Sequence, residues 1–319
     1  MKKIIGSLLF CGAAFAFGSN VDWPQKTKLG YVENLNYVSE NYKTTPSYRE
    51  MAENNYNVVV VSFLTVEGTN VGFFDNQWNY GGYAPYTDKQ AFISAVDDFH
   101  NSRDGAKVLV STGGWENQWK PDVSQVDLVA NNIVNFLAEH HLDGIDFDLE
   151  KDANSSAELL QPVISKMKDL AQQRSSEFPY GFFVTAAPHL KKPIGWAGAT
   201  APFMDVVVLK DNQGHSLFDV VMPQAYNNDD LGEKTELDNF KYIKEELPND
   251  VKIVILKPGN PAMEHSAVGY KHPSKLKPEL QAIKDDQFVG VGFWTAAADK
   301  YTEDKSTRKW RMFDVFDID

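Results

Sequence analysis

The chain of 319 residues is 43% hydrophobic and 24% charged, the make-up of a folded globular protein, which excludes disordered, collagen-like and fibrous architectures. Its 44 acidic against 31 basic residues leave a formal charge of -13, and no Lys/Arg block interrupts that excess, so no nucleic-acid partner is expected. The length suits two small domains or one large α/β barrel, and the order of elements has to decide.

The first residues read as an export signal. Lys2 and Lys3 precede an apolar stretch from Ile4 to Phe15, and Ala14-Phe15-Ala16 has the small-x-small form of a signal-peptidase site. The stretch is shorter than the roughly 20 apolar residues of a bilayer span, so residues 1–16 are expected to be a cleaved signal peptide and not an anchor. Lipidation of Cys11, the only cysteine, is disfavoured because Phe10 stands where a small residue is required. Cleavage leaves a chain without any thiol, dependent on its core alone. No later apolar run approaches spanning length. The mature chain, 17–319, is therefore expected to be a secreted monomer, extracellular or periplasmic, with no membrane span.

Eight short runs rich in β-branched and aromatic residues follow: Lys28 to Glu33, Asn57 to Leu64, Lys107 to Ser111, Leu142 to Glu150, Phe182 to Ala187, Asp219 to Tyr226, Val251 to Leu256 and Val289 to Thr295. They read as strands. Helical patterns lie between them, with starts such as Thr45-Pro46-Ser47 followed by Glu50, and Ser155-Ser156 ahead of Ala157 to Phe178. The repeat of about 37 residues suits βα units with right-handed crossovers, and eight such units close a single (β/α)8 TIM barrel. A doubly wound open sheet would usually carry a glycine-rich phosphate turn after its first strand, and Gly30-Tyr31-Val32-Glu33-Asn34 is not one. Without a linker or repeat, the α/β fold reads as one domain.

The chemistry concentrates in Leu142 to Glu150. Side chains alternate across a strand, so Asp146, Asp148 and Glu150 share one face while Ile145, Phe147 and Leu149 share the other. If the apolar face packs on helices, three carboxylates point into the barrel, where packing alone would select Val or Leu. The strand rises toward the C-terminal mouth, where barrel active sites sit. Crowded like charges raise the pKa of one member, and a proton shared along the row can keep Glu150 protonated as a general acid. A calcium loop would instead place such acids in a turn. A purely structural row is the other reading.

Asp143-Gly144-Ile145-Asp146-Phe147-Asp148-Leu149-Glu150 resembles the DGxDxDxE signature of the family-18 glycoside hydrolases, the chitinases, bacterial ones in particular. Gly30 to Asn34 is similar to that family's first strand, Ser111-Thr112-Gly113-Gly114 to its SxGG third strand, and Met222-Pro223-Gln224-Ala225-Tyr226-Asn227 to its MxQxYN sixth strand. Pro258 to Tyr270 resembles the seventh-strand loop and Gly292-Phe293-Trp294-Thr295 the eighth strand, so the likeness spans roughly 28 to 300. Val32, Leu35 and Ala298 stand where such enzymes often carry tryptophans.

The resemblance implies a retaining, substrate-assisted hydrolysis of β-1,4-N-acetylglucosamine polymers with no metal or other cofactor. Glu150 would protonate the glycosidic oxygen while the substrate's acetamide carbonyl attacks the anomeric carbon. Asp148 would meet the charge and N–H of the resulting oxazolinium ion, Asp146 would hold Asp148 by a shared proton, and Tyr226 would hold the acetamide oxygen. Gln224, Asn227, Met222, Tyr31 and Trp115 are expected to contact sugar, and Asp143, Gly144, Ser111, Gly113 and Gly114 to shape the motif strands. Trp294, at the end of the eighth strand, would lie flat beneath the reacting sugar. Phe73, Phe74, Trp78, Tyr80, Tyr83 and Tyr86 after the second strand, Trp115 and Trp119 after the third and Trp196 after the fifth read equally as local cores or stacking platforms. His189 reads as a loop histidine. The partners expected are chitin or its oligosaccharides. An endo-β-N-acetylglucosaminidase acting on N-glycan chitobiose cores is the near alternative, and a non-catalytic chitin-binding lectin is disfavoured by the presence of Glu150.

Overall fold

The computed structural model describes residues 22–33, 45–74, 85–114, 118–150, 157–188, 206–211, 213–226, 244–245, 247–260, 270–283, 287–300, 310 and 315. The expected signal peptide, 1–16, and the Ser155-Ser156 helix start lie outside them. In chain order the elements are β1 (Thr27–Glu33), α1 (Tyr48–Glu53), β2 (Val58–Gly68), β3 (Asn70–Phe73), α2 (Lys89–Ser102), β4 (Lys107–Gly113), β5 (Trp119–Pro121), α3 (Val126–Glu139), β6 (Gly144–Leu149), α4 (Ala157–Gln173), β7 (Phe183–Pro188), β8 (Val220–Val221), β9 (Lys252–Pro258), α5 (Pro273–Ile283), β10 (Phe288–Trp294) and α6 (Ala296–Lys300).

Eight of the strands pair in parallel in the order β1-β2-β4-β6-β7-β8-β9-β10, and β10 returns to β1, with Thr27 beside Gly290 and Gly30 beside Phe293. The sheet closes on itself with helices outside: the protein is a (β/α)8 barrel. Each barrel strand overlaps one of the eight runs expected to be strands; β6 and β8 lie inside theirs and the others pass an expected end. The alternation of side chains splits the apolar residues in two. Val58 and Val60 of β2, Leu109 of β4, Val220 of β8 and Val254 and Leu256 of β9 fill the interior, while Val59, Val61, Val108, Val110, Ile145 and Phe147 pack outward on the helices. The capping box at α1 forms as the sequence suggested: Ser47 Oγ accepts from Glu50 N at 3.2 Å and Glu50 Oε2 accepts from Ser47 N at 3.0 Å. Among the described residues no helix is long and apolar enough to cross a membrane.

Two departures have local causes. The sixth run, expected to be a strand from Asp219 to Tyr226, pairs regularly only at Val220 and Val221. Pro223 has no N–H to give, so pairing resumes with only its carbonyl in use: Leu256 N donates to Pro223 O (3.1 Å) and Ala225 N donates to Leu256 O (3.0 Å). The second run continues past Leu64 to Gly68, and there β3 pairs antiparallel with it (Leu64 beside Phe73) while β5 pairs parallel (Val66 beside Trp119). This upward extension stands beyond the barrel mouth and carries its apolar residues inward: Phe73 contacts Phe92 and Phe136 at ring distances of 5.4 and 5.1 Å.

Candidate active site

The acid row is built by β6 and held by its neighbours. Gly144 starts the strand at φ +151°, where a Cβ would come within 1.9 Å of the Phe183 carbonyl oxygen, so only glycine lets β6 and β7 meet there. Just before it, Asp143 is buried and acts as a clamp: its Oδ2 accepts from Val108 N and faces His100 Nε2, both at 2.7 Å. At the other end Gly113 (φ +103°) leaves room for the Asp148 carbonyl oxygen, which a Cβ would approach to 2.3 Å, and Gly114 N donates to that same oxygen at 3.0 Å. The glycine pair of the third barrel strand therefore fixes the main chain of Asp148.

Asp146 is fully buried and receives three hydroxyls: Tyr31 at 2.9 Å, Ser111 at 2.7 Å and Thr185 at 2.7 Å. Burial raises its pKa, and those three donors with Phe147 N pull it back. The expected proton shared between Asp146 and Asp148 is replaced by this set of hydroxyls, because the neighbouring strands β1, β4 and β7 each point a donor at Asp146. Asp148 takes a different partner. Its Oδ1 accepts from Gln224 Nε2 at 2.6 Å, and its carboxyl hydrogen-bonds Glu150. Burial, then the charges of Glu150 and Asp146, hold its pKa well above the usual carboxylate range. The hydrogen bond between the two carboxyls puts the raised pKa of Asp148 in direct contact with Glu150. Glu150 follows the last residue of β6 and keeps an open face.

Tyr226 lies against the same acids. Burial and the charges of Asp148, Glu150 and Asp146 raise its phenol pKa, which keeps it a hydrogen-bond donor. Trp294, at the end of β10, is partly exposed and rests on Tyr31 (ring centroids 5.5 Å, 58° between planes) and Phe63 (6.1 Å, 37°). Two non-prolyl cis peptides, Ser62–Phe63 and Trp294–Thr295, occur here.

Several residues expected to touch sugar are placed as supports. Tyr31 is 1% exposed, its hydroxyl engaged by Asp146 and its ring by Trp294. Gln224 is 1% exposed, its amide shared between Asp148 and the Ala187 carbonyl (3.0 Å), and Met222 is wholly buried in the barrel interior. The sixth run turns Gln224 and Met222 inward, where the first supports Asp148 and the second fills the interior. Trp119 resolves as core, edge-on to Phe147 at 4.9 Å, and Tyr86 likewise, packed on Tyr48 at 5.1 Å. Trp78, Tyr80, Tyr83, Trp115, His189, Trp196 and Asn227 lie outside the described residues.

Three residues join the site that were not among those expected there. Thr185 lies on the inward face of β7 in register with Asp146, and the alternation of Phe183, Thr185 and Ala187 carried that signal. Phe63 flanks Trp294, and the ordinary apolar run around it gave no hint. Glu33 ends β1; burial pushes its carboxyl up to about 7.

The scan against protein families matches residues 29–209 to Glycosyl hydrolases family 18. A search of curated proteins finds no match. Among solved structures, a GH18 chitinase from Pseudoalteromonas aurantia is 18% identical, with 86% of this chain and 95% of that one covered and a TM-score of 0.60. The ICChI chitinase from Ipomoea carnea is 19% identical, with 85% and 93% covered and a TM-score of 0.58. The xylanase and alpha-amylase inhibitor protein XAIP-II from Scadoxus multiflorus is 18% identical, with 90% and 96% covered and a TM-score of 0.58. At such identities the likeness is one of fold, shared by chains titled as enzymes and as inhibitors. The family match covers more than half of the chain, including the acid row and its Ser-x-Gly-Gly neighbour, and on that match the chain belongs to glycosyl hydrolase family 18.

Proposed function

We propose that the chain is a secreted, monomeric chitinase that cleaves β-1,4-N-acetylglucosamine polymers with retention by a substrate-assisted mechanism, after loss of residues 1–16 as a signal peptide. The observation that carries this reading is the hydrogen-bonded Asp148–Glu150 pair at the barrel mouth, in which burial and the charges of Glu150 and Asp146 push the pKa of Asp148 well above the usual carboxylate range. A retaining enzyme with its own nucleophile needs two carboxyl groups about 5 Å apart acting separately on the sugar. Here the two acids are spent on each other, which suits a reaction whose nucleophile is the substrate's own acetamide oxygen.

The proton of Asp148 moves along the hydrogen bond to Glu150, which delivers it to the glycosidic oxygen as the bond to the anomeric carbon breaks. The acetamide oxygen bonds to that carbon and an oxazolinium ion forms. Asp148, now anionic, faces the ion's N–H and positive charge, and Gln224 keeps its other oxygen in place. Tyr226, a phenol that stays protonated, donates to the acetamide. Glu150 then takes a proton from water, which opens the ion from the face left by the departing sugar. Trp294, propped by Tyr31 and Phe63, carries the apolar face of the reacting sugar. No cofactor enters any step.

The test is product analysis on N-acetylglucosamine oligomers beside cello-oligomers, fully deacetylated chitosan and a high-mannose glycoprotein. Only the acetylated chitin oligomers should yield products, with the β-anomer formed first, and a stable thiazoline analogue should inhibit. Cleavage of the glycoprotein alone would assign the endo-β-N-acetylglucosaminidase activity instead, and tight binding without turnover would assign a lectin.

A further inference from the structure

One acid at the barrel mouth has no part in the acid row. Leu29 and Tyr31 face the interior and Val32 packs outward among the helices, so the two-residue period of β1 turns Glu33 inward as well. It ends the strand at the C-terminal mouth, two residues beyond the tyrosine that props Trp294. Its neighbour in register is Ser62, whose hydroxyl is buried with no hydrogen-bond partner. The bond made at Glu33 involves its main chain, where Thr45 Oγ1 donates to the carbonyl at 3.4 Å. Among the described residues no cation and no donor meets its carboxyl. Protein surrounds the side chain closely enough to raise its pKa to about 7, yet the residue keeps part of its surface open. The carboxyl therefore stands at the C-terminal mouth of the barrel, closed in by protein on most sides and reachable from solvent on the rest.

The contrast with its neighbours is chemical. Asp146 has three hydroxyls and Asp148 has an amide and a second carboxyl. Among the described residues Glu33 is desolvated with no group that compensates it, which is unfavourable for folding and points to a partner that arrives from outside. That partner brings a positive charge or strong donors. In a cleft proposed to bind polymers of 2-amino sugars, the unit with such a group is glucosamine, in which loss of the acetyl exposes a 2-ammonium.

We propose that Glu33 is a specificity-determining residue that binds the 2-ammonium of a glucosamine unit adjacent to the reacting N-acetylglucosamine, so that partly deacetylated chitin is the preferred substrate. This rests on the chitinase reading above, since the reacting unit must keep its acetamide while its neighbour on the β1 side of Trp294 has lost it. The formal charge of -13 on the whole chain favours the approach of such a polycation, in a salt-dependent way.

The experiment compares kcat/KM on fully acetylated oligomers with oligomers of equal length carrying one glucosamine at the adjacent position, for the wild type, Glu33→Gln and Glu33→Asp, each checked for an unchanged melting temperature. For the wild type the mixed oligomer should be preferred by about tenfold or more, a magnitude in reach of one desolvated ion pair. Glu33→Gln should bring the ratio near one, and Glu33→Asp should retain part of it. A wild-type ratio of one or less, or a preference that survives Glu33→Gln, overturns the proposal while leaving the chitinase reading intact. Failure of the wild type to cleave either oligomer overturns both, and is told apart by the missing products.

Discussion

Two buried aspartates five positions apart, one just before β6 and one near its upper end, behave in opposite ways. Asp143, at the lower end of β6, is met by donors: the Val108 N–H and the His100 ring, whose other face stacks on Tyr180 at 4.0 Å. Asp148, at the upper end, is met by an amide on one oxygen and by another carboxyl. The lower acid ties α2, β4 and β6 together; the upper one has its pKa pushed well above the usual carboxylate range by burial and by the charges of Glu150 and Asp146. A buried acid surrounded by donors is structural, and a buried acid beside a like charge is held ready for chemistry. The family signature contains both kinds, and residue type alone does not separate them.

The largest expected effect breaks the upper end. Glu150→Gln keeps the shape of the side chain and its hydrogen bond to Asp148 but cannot pass a proton, so kcat should fall by about 10³-fold or more while oligomer binding persists. Steady-state kinetics with calorimetric binding on the same preparation checks it. A variant with a tenth of the wild-type rate removes Glu150 from the acid's role.

The lower end should fail in stability. Asp143→Ala strands the Val108 N–H and the His100 Nε2 in the interior, and breaking such a buried set costs about 3 kcal/mol. Urea denaturation should register the loss, and the protein that remains folded should keep most of its kcat. A variant as stable as the wild type, or one that is folded but inactive, would erase the distinction between the two aspartates.

Much of this contrast could be read in the sequence, and the limits have physical causes. The eight strands and the inward acids follow from period-two alternation, a one-dimensional signal. The three hydroxyls on Asp146 come from β1, β4 and β7, strands brought together only by closure of the barrel, so a shared proton with Asp148 was the nearest guess along the chain. Gln224 and Met222 sit in a motif that marks the site, but whether they face a sugar or support an acid depends on burial, which spacing does not report. Trp119 packs on Phe147 of β6, Tyr86 on Tyr48 of α1, and Phe73 on Phe92 of α2 and Phe136 of α3, pairings with no signature in the loop's composition. Glu33 was within the first-strand motif all along; what makes it notable is that its carboxyl meets no partner among the described residues, and partners are a tertiary property.

Trp294 offers a smaller effect that separates platform from core. Its ring is partly open and props on Tyr31 and Phe63, so Trp294→Ala should weaken oligomer binding or transition-state stabilisation by about 1–3 kcal/mol and lower the melting temperature little. Thermal denaturation and oligomer kinetics on one sample read both. A collapsed melting temperature with proportionate loss of activity would place the ring in the core instead.

The smallest expected effect tests the proton on Asp148 through stability. Its folded pKa is raised, by burial first and by Glu150 and Asp146 after it, so the native state binds a proton that the unfolded chain releases near pH 3.9. Linkage then makes stability fall as pH rises from about that value up to the folded pKa and level off above it. Asp148→Asn has no proton to lose and keeps a group able to meet both Gln224 and Glu150. It should therefore match or slightly trail the wild type at pH 4 and exceed it by about 1 kcal/mol at neutral pH, while turnover falls because a neutral amide cannot offset the charge of the oxazolinium ion. Denaturant midpoints for the two proteins across that range give the difference directly. A difference that does not change with pH would mean that Asp148 ionises in the folded protein as it does in the unfolded one, and that the proton for Glu150 comes from elsewhere.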